Sequence, residues 1–127
     1  MNETAEEIEQ ALIGCLLLDF TTARAETADY ALTPAMFQDA AARAAFEAIA
    51  GLAASGHPVD ALTVMDKARR PDLAPYLEAC IDRAPTVAHA SYYGLLLAQS
   101  HAKRELRLRL ARAMRRLDDD PPDQVQA

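Results

Sequence analysis

An amphipathic segment at residues 101–117, free of glycine and proline, constrains this chain more than any other feature. Its apolar residues recur at steps of three and four, so they line one side of a helix. Seven Lys or Arg residues accompany this narrow stripe, against a single acidic residue. Such a helix usually packs against another helix or another subunit, which predicts an interaction module and not an enzyme. The stripe consists of Leu106, Leu110, Ala113, Met114 and Leu117.

Composition predicts an all-α fold. The 127 residues fit one domain, and a hydrophobic fraction of 51%, rich in Ala and Leu, can fill a core. Only four glycines occur and runs of β-branched residues are absent, which favours helices over strands. We therefore expect a compact globule of about six helices.

Targeting signals are missing from the sequence. The longest apolar run, at residues 11–18, is too short to cross a bilayer. The first residues are acidic and lack the basic region of a secretory signal. These features predict a cytoplasmic protein without a membrane partner.

Local signals predict where helices begin and end. Thr4 and Glu7 form the T-x-x-E pattern of a capping box before an apolar run. Gly14 lies inside that run, where it costs about 1 kcal/mol relative to alanine, so we expect it to admit a close helix neighbour. Gly56 is expected to end the helix that starts near Asp39.

The C-terminal third allows two interpretations. Residues 101–117 can continue a helix over residues 87–100, or they can fold back on it as the second arm of a hairpin. We expect the hairpin. The predicted organisation is a helical globule at residues 1–86, a helical hairpin for subunit pairing at 87–118, and a disordered tail or interdomain linker at 119–127.

Charge is divided unevenly along the chain. The formal net charge is −6, yet residues 101–117 hold seven basic residues and one acidic residue. The remaining residues hold six basic and eighteen acidic ones. One basic helix on an acidic body disfavours a general nucleic-acid binder and suits docking to an acidic protein surface or another subunit. The alternative is a solvated basic face with no partner.

Catalytic and ligand-binding motifs are not found. The sequence lacks a P-loop and a glycine-rich dinucleotide motif. His57, His89 and His101 are far apart and do not have zinc-site spacing. Cys15 and Cys80 lie in apolar helical contexts, so buried free thiols are predicted and not a disulfide. We therefore predict no catalytic, cofactor-binding or metal-binding residue.

Six short motifs follow one another in a recognisable order. They are Ile-Glu-Gln-Ala-Leu-Ile-Gly and the leucine run after it at residues 8–19, Leu to Phe at 32–37, Phe-Glu-Ala-Ile at 46–49 with Leu52 after it, Gly-His-Pro-Val-Asp at 56–60, Tyr-Leu at 76–77 with Ala-Pro-Thr at 84–86, and Tyr93 followed by Arg104 and Leu106. Together they resemble the N-terminal domain of DnaB-like replicative helicases over residues 5–117. The chain departs from that pattern at Ala42-Arg43, where many members carry His-Arg, and at Gly94, where alanine is common.

This resemblance implies a collar domain. In the family, a helical globule precedes a hairpin, hairpins pair between subunits, and three such pairs form a collar on a hexameric motor. The collar docks the C-terminal domain of primase and, in some systems, helicase loader proteins, and it meets DNA only indirectly. ATP and Mg belong to a separate motor domain, which this sequence lacks, so no cofactor is expected here. The residues after Pro121 correspond to the start of the family's linker, which favours a fragment over a natural short homologue.

Apolar residues of the C-terminal helices are the predicted oligomer interface, with weak, concentration-dependent dimers expected. Arginines beside them are the predicted docking residues for a partner or DNA. Two alternatives stay open: the apolar residues only close a monomeric bundle, or the chain is a stand-alone helical adaptor or DNA-associated regulator. The interface set is Leu95, Leu96, Leu106, Leu110, Met114 and Leu117, and the docking set is Arg104, Arg109, Arg112 and Arg116.

Overall fold

The computed structural model describes residues 4–84 and 86–119, and within these ranges every regular element is helical. Six α-helices confirm the all-α prediction. Four single turns of 3-10 helix connect them, at Ala28–Tyr30, Pro34–Met36, Pro71–Leu73 and Val87–His89. The helices are α1 (Ala5–Leu18), α2 (Phe20–Glu26), α3 (Ala40–Ala54), α4 (Ala61–Ala68), α5 (Ala74–Arg83) and α6 (Ala90–Asp119).

Helix α1 lies at the centre of the core. It contacts α2, α3, α5 and α6, and its Leu12 and Ile13 are fully buried. Thr4 caps it by accepting a hydrogen bond from the backbone N–H of Glu7 at 3.1 Å. The Glu7 carboxylate lies 3.4 Å from the guanidinium of Arg83, so this side chain also ties α1 to α5.

Gly14 allows α1 and α5 to approach closely, which confirms the expectation for this glycine. A Cβ atom built at Gly14 would overlap the carbonyl oxygen of Cys80 and lie 2.8 Å from the Cβ of Ala84. The obstacle is main-chain atoms of α5, which cannot move as a side chain can. The close contact therefore depends on the missing side chain.

Glu9 is a buried carboxylate that joins α1 to the segment before α3. It is only 2% exposed. Its two oxygens accept hydrogen bonds from the backbone N–H groups of Gln38 and Asp39, at 2.9 and 3.1 Å. Asp39 in turn caps α3 by accepting from the N–H of Ala42 at 3.3 Å. The charged residue is thus tolerated because backbone donors satisfy it.

Helices α3 and α4 pack against each other, and a short connector at residues 55–60 joins them. Gly56 adopts a left-handed conformation with φ of 71° directly after the end of α3, as expected for a glycine that ends a helix. Asp60 and Thr63 then form a reciprocal capping box at the start of α4. The connector therefore reverses the chain with standard capping chemistry.

The structure corrects the predicted hairpin. After the turn at Val87–His89, the chain forms one continuous helix, α6, from Ala90 to Asp119. No glycine or proline follows Gly94 before Pro121, so nothing in this sequence favours a reversal. A second antiparallel arm is not found in the described residues. Of the predicted disordered tail, Asp119 is helical and residues 120–127 lie outside the described ranges.

Cys15 and Cys80 are buried free thiols, as predicted. The Cys15 thiol faces the carbonyl oxygen of Thr86 at 3.6 Å. Burial raises the pKa of Cys15 to about 11 and that of Cys80 to about 12. Both thiols therefore stay protonated at neutral pH and are poor nucleophiles.

Candidate interaction surface on helix α6

The first half of α6 is held by the globule through one face. Ala90, Gly94 and Leu97 are buried on that face, where α6 contacts α1 and α2. A Cβ atom at Gly94 would lie 2.8 Å from the ring of Tyr30, so this glycine also marks a close approach. Spacings of three and four residues place these buried positions on one side of the helix.

Arg104, in the middle of α6, ties this helix to the globule. Its guanidinium donates a hydrogen bond to the carbonyl oxygen of Met36 at 2.9 Å. His101, one turn earlier, is half-buried on the same side. The sequence predicted Arg104 as a docking residue, and the structure gives it a role within the domain. A docking role for it stays a prediction.

Beyond Arg104 the helix projects from the globule. Every residue from 105 to 119 is exposed. At about 1.5 Å per residue this segment extends roughly 22 Å. Helices in water are rarely stable without packing, so a projecting helix with apolar residues is typical of a binding element.

The face of α6 opposite the globule carries an apolar stripe that Gln99 and Lys103 interrupt. Two interleaved series run along it at steps of seven residues, which is the spacing of a coiled-coil contact surface. We call these eight positions the α6 seam. One series is Tyr92, Gln99, Leu106 and Ala113, and the other is Leu96, Lys103, Leu110 and Leu117.

The predicted interface residues lie on the seam or at its edge. Leu96 is half-buried, and the other five are exposed. Leu106, Leu110 and Leu117 expose more than half of their surface, at 57%, 56% and 60%. Met114, at the edge, is 66% exposed, whereas Leu95 beside the globule is 38% exposed. Exposure on this scale favours a partner over closure of a monomeric bundle.

Arginines surround the projecting segment. The predicted docking residues Arg109, Arg112 and Arg116 are all exposed. With about 100° per residue, Arg109 and Arg116 border the seam on one side and Arg107 borders it on the other. Arg112 lies further round, away from the seam. The structure thus brings two of the predicted arginines to the stripe.

Sequence reasoning missed two features of this surface. It treated residues 87–100 and 101–117 as separate arms, so the seven-residue spacing that runs through Gln99 and Lys103 was not recognised. It also missed the contact of Arg104 with Met36, which lies 68 positions away and involves a backbone carbonyl. The first feature was available from spacing alone, and the second had no sequence signal.

Ligand-binding geometry elsewhere is limited. An open groove of about 380 Å³ lies between α1, α2 and α3 and is lined mainly by apolar residues such as Phe20, Leu32 and Ile49. Across residues 4–84 and 86–119, no group of three His, Cys, Asp or Glu side chains is placed to hold a metal ion. In the same ranges, no helix combines the length and apolarity required to cross a bilayer. The projecting part of α6 is therefore the strongest candidate site.

Comparison with known proteins agrees with the geometry. A family model described as the DnaB-like helicase N-terminal domain matches residues 1–99. The N-terminal domain of DnaB helicase from Mycobacterium tuberculosis is 32% identical, with a TM-score of 0.77 over 86% of this chain and 81% of that one. The N-terminal domain of DnaB helicase from Helicobacter pylori, described with its interactions with primase, shares the fold with a TM-score of 0.71 at 19% identity, over 90% of this chain and 91% of that one. The chain belongs to the family of DnaB-like helicase N-terminal domains.

Proposed function

We propose that this domain assembles the subunits of a replicative helicase and docks primase or a loader protein through α6. The observation that carries the proposal is the projecting segment at residues 105–119, on which the exposed Leu106, Leu110 and Leu117 lie on one face. Family membership supports the helicase context. ATP hydrolysis with Mg would belong to a motor domain elsewhere in a full-length protein, and this domain would meet DNA only indirectly, in the cytoplasm.

Burial of the exposed leucines provides the driving force. Apolar area removed from water contributes about 25 cal/mol per Å². Association and side-chain ordering cost several kcal/mol, so a single short stripe supports only weak pairing. We therefore expect the isolated chain to form concentration-dependent dimers. Three such pairs in a hexamer would reinforce one another through their common ring.

Primase is the favoured docking partner. The Helicobacter pylori relative is described with its interactions with primase. This chain has the same fold and an exposed helical surface on which a small helical domain could pack. A loader protein is the second expected partner.

Light scattering of the chain, alone and with a primase C-terminal domain, tests the proposal. We expect a mass that rises with concentration and a complex with primase. The variant Leu106→Asp/Leu110→Asp should abolish both. Leu108→Asp is the matched control, because Leu108 is 49% exposed on the same segment yet lies roughly 160° around the helix from Leu110.

A monomer at all concentrations that does not bind primase would contradict the proposal. Fluorescence anisotropy with labelled duplex DNA tests the alternative of a DNA-associated regulator. Salt-sensitive binding that is lost in the triple variant Arg109→Ala/Arg112→Ala/Arg116→Ala would favour that alternative. Equal loss of primase binding in the Leu108→Asp control would contradict the assignment of the contact to the face that bears Leu106 and Leu110.

A further inference from the structure

A separate surface lies on the globule, away from α6. The open groove between α1, α2 and α3 has a volume of about 380 Å³, within the range of roughly 300–1,000 Å³ that is typical of binding pockets. In the part of the chain that the structure describes, none of its lining residues belongs to α6. We call it the α2–α3 groove, after the helices that carry Phe20, Arg24, Ile49, Ala50 and Ala53.

The floor of the α2–α3 groove is apolar. Leu16 and Ile49 line the groove and are almost fully buried, at 2% and 1% exposure, so they form its floor. Beside them Ala50 and Ala53 present only methyl groups, and their small size leaves the groove open. An apolar side chain inserted here would remove that surface from water, which is favourable.

The groove also contains a positive charge. Arg24 is exposed on α2, and its guanidinium carbon lies 5.7 Å from the centre of the Phe20 ring. Phe20 lies one helical turn before it, so both side chains are on the face of α2 that lines the groove. This contact holds the guanidinium group over the aromatic ring. Glu26, the acidic residue of α2, lies about 200° round the helix from Arg24, on the other side.

Arg24 has no carboxylate partner among the described residues. Outside residues 101–117 the chain has eighteen acidic residues against six basic ones, so carboxylates are plentiful. Two other arginines of the globule, Arg70 and Arg83, do pair with carboxylates, at 2.9 and 3.4 Å. An unpaired guanidinium beside an apolar groove is complementary to a carboxylate that stands next to an apolar side chain.

The wall of the groove contains an unfavourable backbone conformation. Ala31 lies between the lining residues Ala28 and Leu32, with φ of 48° and ψ of 54°, in the left-handed region. A residue with a Cβ atom adopts this region only at a cost in free energy, and such residues are concentrated at ligand-binding sites. This observation is independent of the charge on Arg24 and points to the same groove.

We propose that the α2–α3 groove binds a short segment of a partner protein in which bulky apolar side chains stand next to a Glu or Asp residue. The apolar side chains would cover Ile49 and Ala50, and the carboxylate would pair with Arg24. This inference goes beyond the proposed function, because it assigns a second docking surface to the globule, separate from α6.

Three labelled peptides test the chemistry of the partner. The Glu peptide is Ser-Gly-Leu-Phe-Glu-Glu-Gly-Ser, the Lys peptide has Lys-Lys in place of Glu-Glu, and the Ala peptide has Ala-Ala in place of Leu-Phe. Fluorescence anisotropy with the full chain measures their affinities. We expect the Lys peptide to bind about fivefold more weakly than the Glu peptide at low salt, because the contact with Arg24 changes from attractive to repulsive. The Ala peptide should bind at least about tenfold more weakly, because it buries little apolar surface.

Two substitutions with matched controls locate the binding site. Ala50→Leu should fill the groove and weaken binding of the Glu peptide at least about tenfold, whereas Ala79→Leu, at an exposed alanine of α5 outside the groove, should not. Arg24→Glu should make the Lys peptide the tighter ligand. Arg115→Glu makes the same change of charge on α6 and should keep the original preference. Circular dichroism of each variant verifies that the fold remains helical.

Equal binding of the Glu and Lys peptides, binding of none of the three, or unchanged affinity in Ala50→Leu would overturn this inference. Calorimetric titration with decanoate tests for a small amphiphile as the occupant. Binding of decanoate without binding of the Glu peptide would also overturn the inference, because the groove would then not be a protein-docking surface.

Light scattering of Ala50→Leu separates this inference from the proposed function. Because Ala50 does not lie on α6, the dimers and the primase complex should persist in this variant. Loss of the primase complex alone would make primase the partner of the groove and contradict its docking on α6. A chain that dimerises and binds primase but no peptide would contradict only this inference, and a chain that binds the Glu peptide but neither dimerises nor binds primase would contradict only the proposed function.

Discussion

Replacing Gly14 with alanine should destabilise the domain even though alanine is the better helix former. The propensity gain is about 1 kcal/mol. Against it, the new methyl group would overlap the carbonyl oxygen of Cys80 and lie 2.8 Å from the Cβ of Ala84. Overpacking of a core usually costs about 1–3 kcal/mol, and contact with main-chain atoms belongs at the upper end. We expect a net loss of about 2 kcal/mol, or roughly 8 °C in Tm for a domain of this size.

Two other helical glycines provide matched controls for the same substitution. At Gly51 the new Cβ would meet the side chain of Lys67, with Cε at 3.0 Å and Nζ at 3.8 Å, and a flexible lysine can move away. Gly51→Ala should therefore raise the free energy of unfolding by up to about 1 kcal/mol. At Gly94 the new Cβ would lie 2.8 Å from the ring of Tyr30, so Gly94→Ala should have a free energy of unfolding between those of the other two variants.

Urea and thermal unfolding monitored by circular dichroism at 222 nm measure the series at low protein concentration. From the most to the least stable, the expected order is Gly51→Ala, Gly94→Ala and Gly14→Ala. If Gly14→Ala were as stable as Gly51→Ala, the close contact of α1 with α5 would not constrain that position. The reasoning on main-chain obstruction would then be wrong.

Three further predictions concern single side chains. Glu9→Gln should lower the free energy of unfolding, measured by urea titration, by about 1–3 kcal/mol, because an amide can present only one oxygen to two buried N–H donors. Glu6→Gln, at an exposed site, is the control and should change the free energy of unfolding by less than about 0.5 kcal/mol. Cys15 and Cys80 should react with a thiol reagent at pH 8 only after unfolding, and prompt reaction of both thiols in the native protein would contradict this. The free energy of unfolding should fall between about pH 9 and pH 11, because the unfolded chain releases thiol protons in this range whereas burial retains them in the folded chain. Arg104→Ala should lower the free energy of unfolding by about 1 kcal/mol, because a charged hydrogen bond is lost, and should speed amide hydrogen exchange in the middle of α6. Unchanged exchange there would argue against the anchoring role of Arg104.

Local signals in the sequence predicted most of the fold. Thr4, Gly14 and Gly56 each act through chemistry that is confined to a cap or a helix contact, so their roles could be inferred from neighbours in the sequence. Such inferences succeed when a residue interacts with its own helix or with a neighbour that needs only to be apolar, because neither case depends on one particular distant residue.

Interactions between distant parts of the chain were beyond sequence reasoning. Glu9 belongs to a recognisable motif, yet its role depends on backbone N–H groups about 30 positions away that any sequence could supply. The hairpin prediction failed for a related reason. An amphipathic stripe shows which face is apolar but not whether its neighbour lies in the same helix, and residues 101–117 carry no signal that would reverse the chain.

The way in which α6 is held has a mechanical consequence. Among the described residues, the buried positions of α6 and its Arg104 anchor lie in the first half of the helix, and Asp119 lies roughly 22 Å further along. If α6 moves as a rigid rod, a tilt of about 5° near Arg104 would displace its C-terminal end by roughly 2 Å. Small rearrangements where Tyr30 meets Gly94 would thus be amplified into movements large enough to change which leucines a partner can reach.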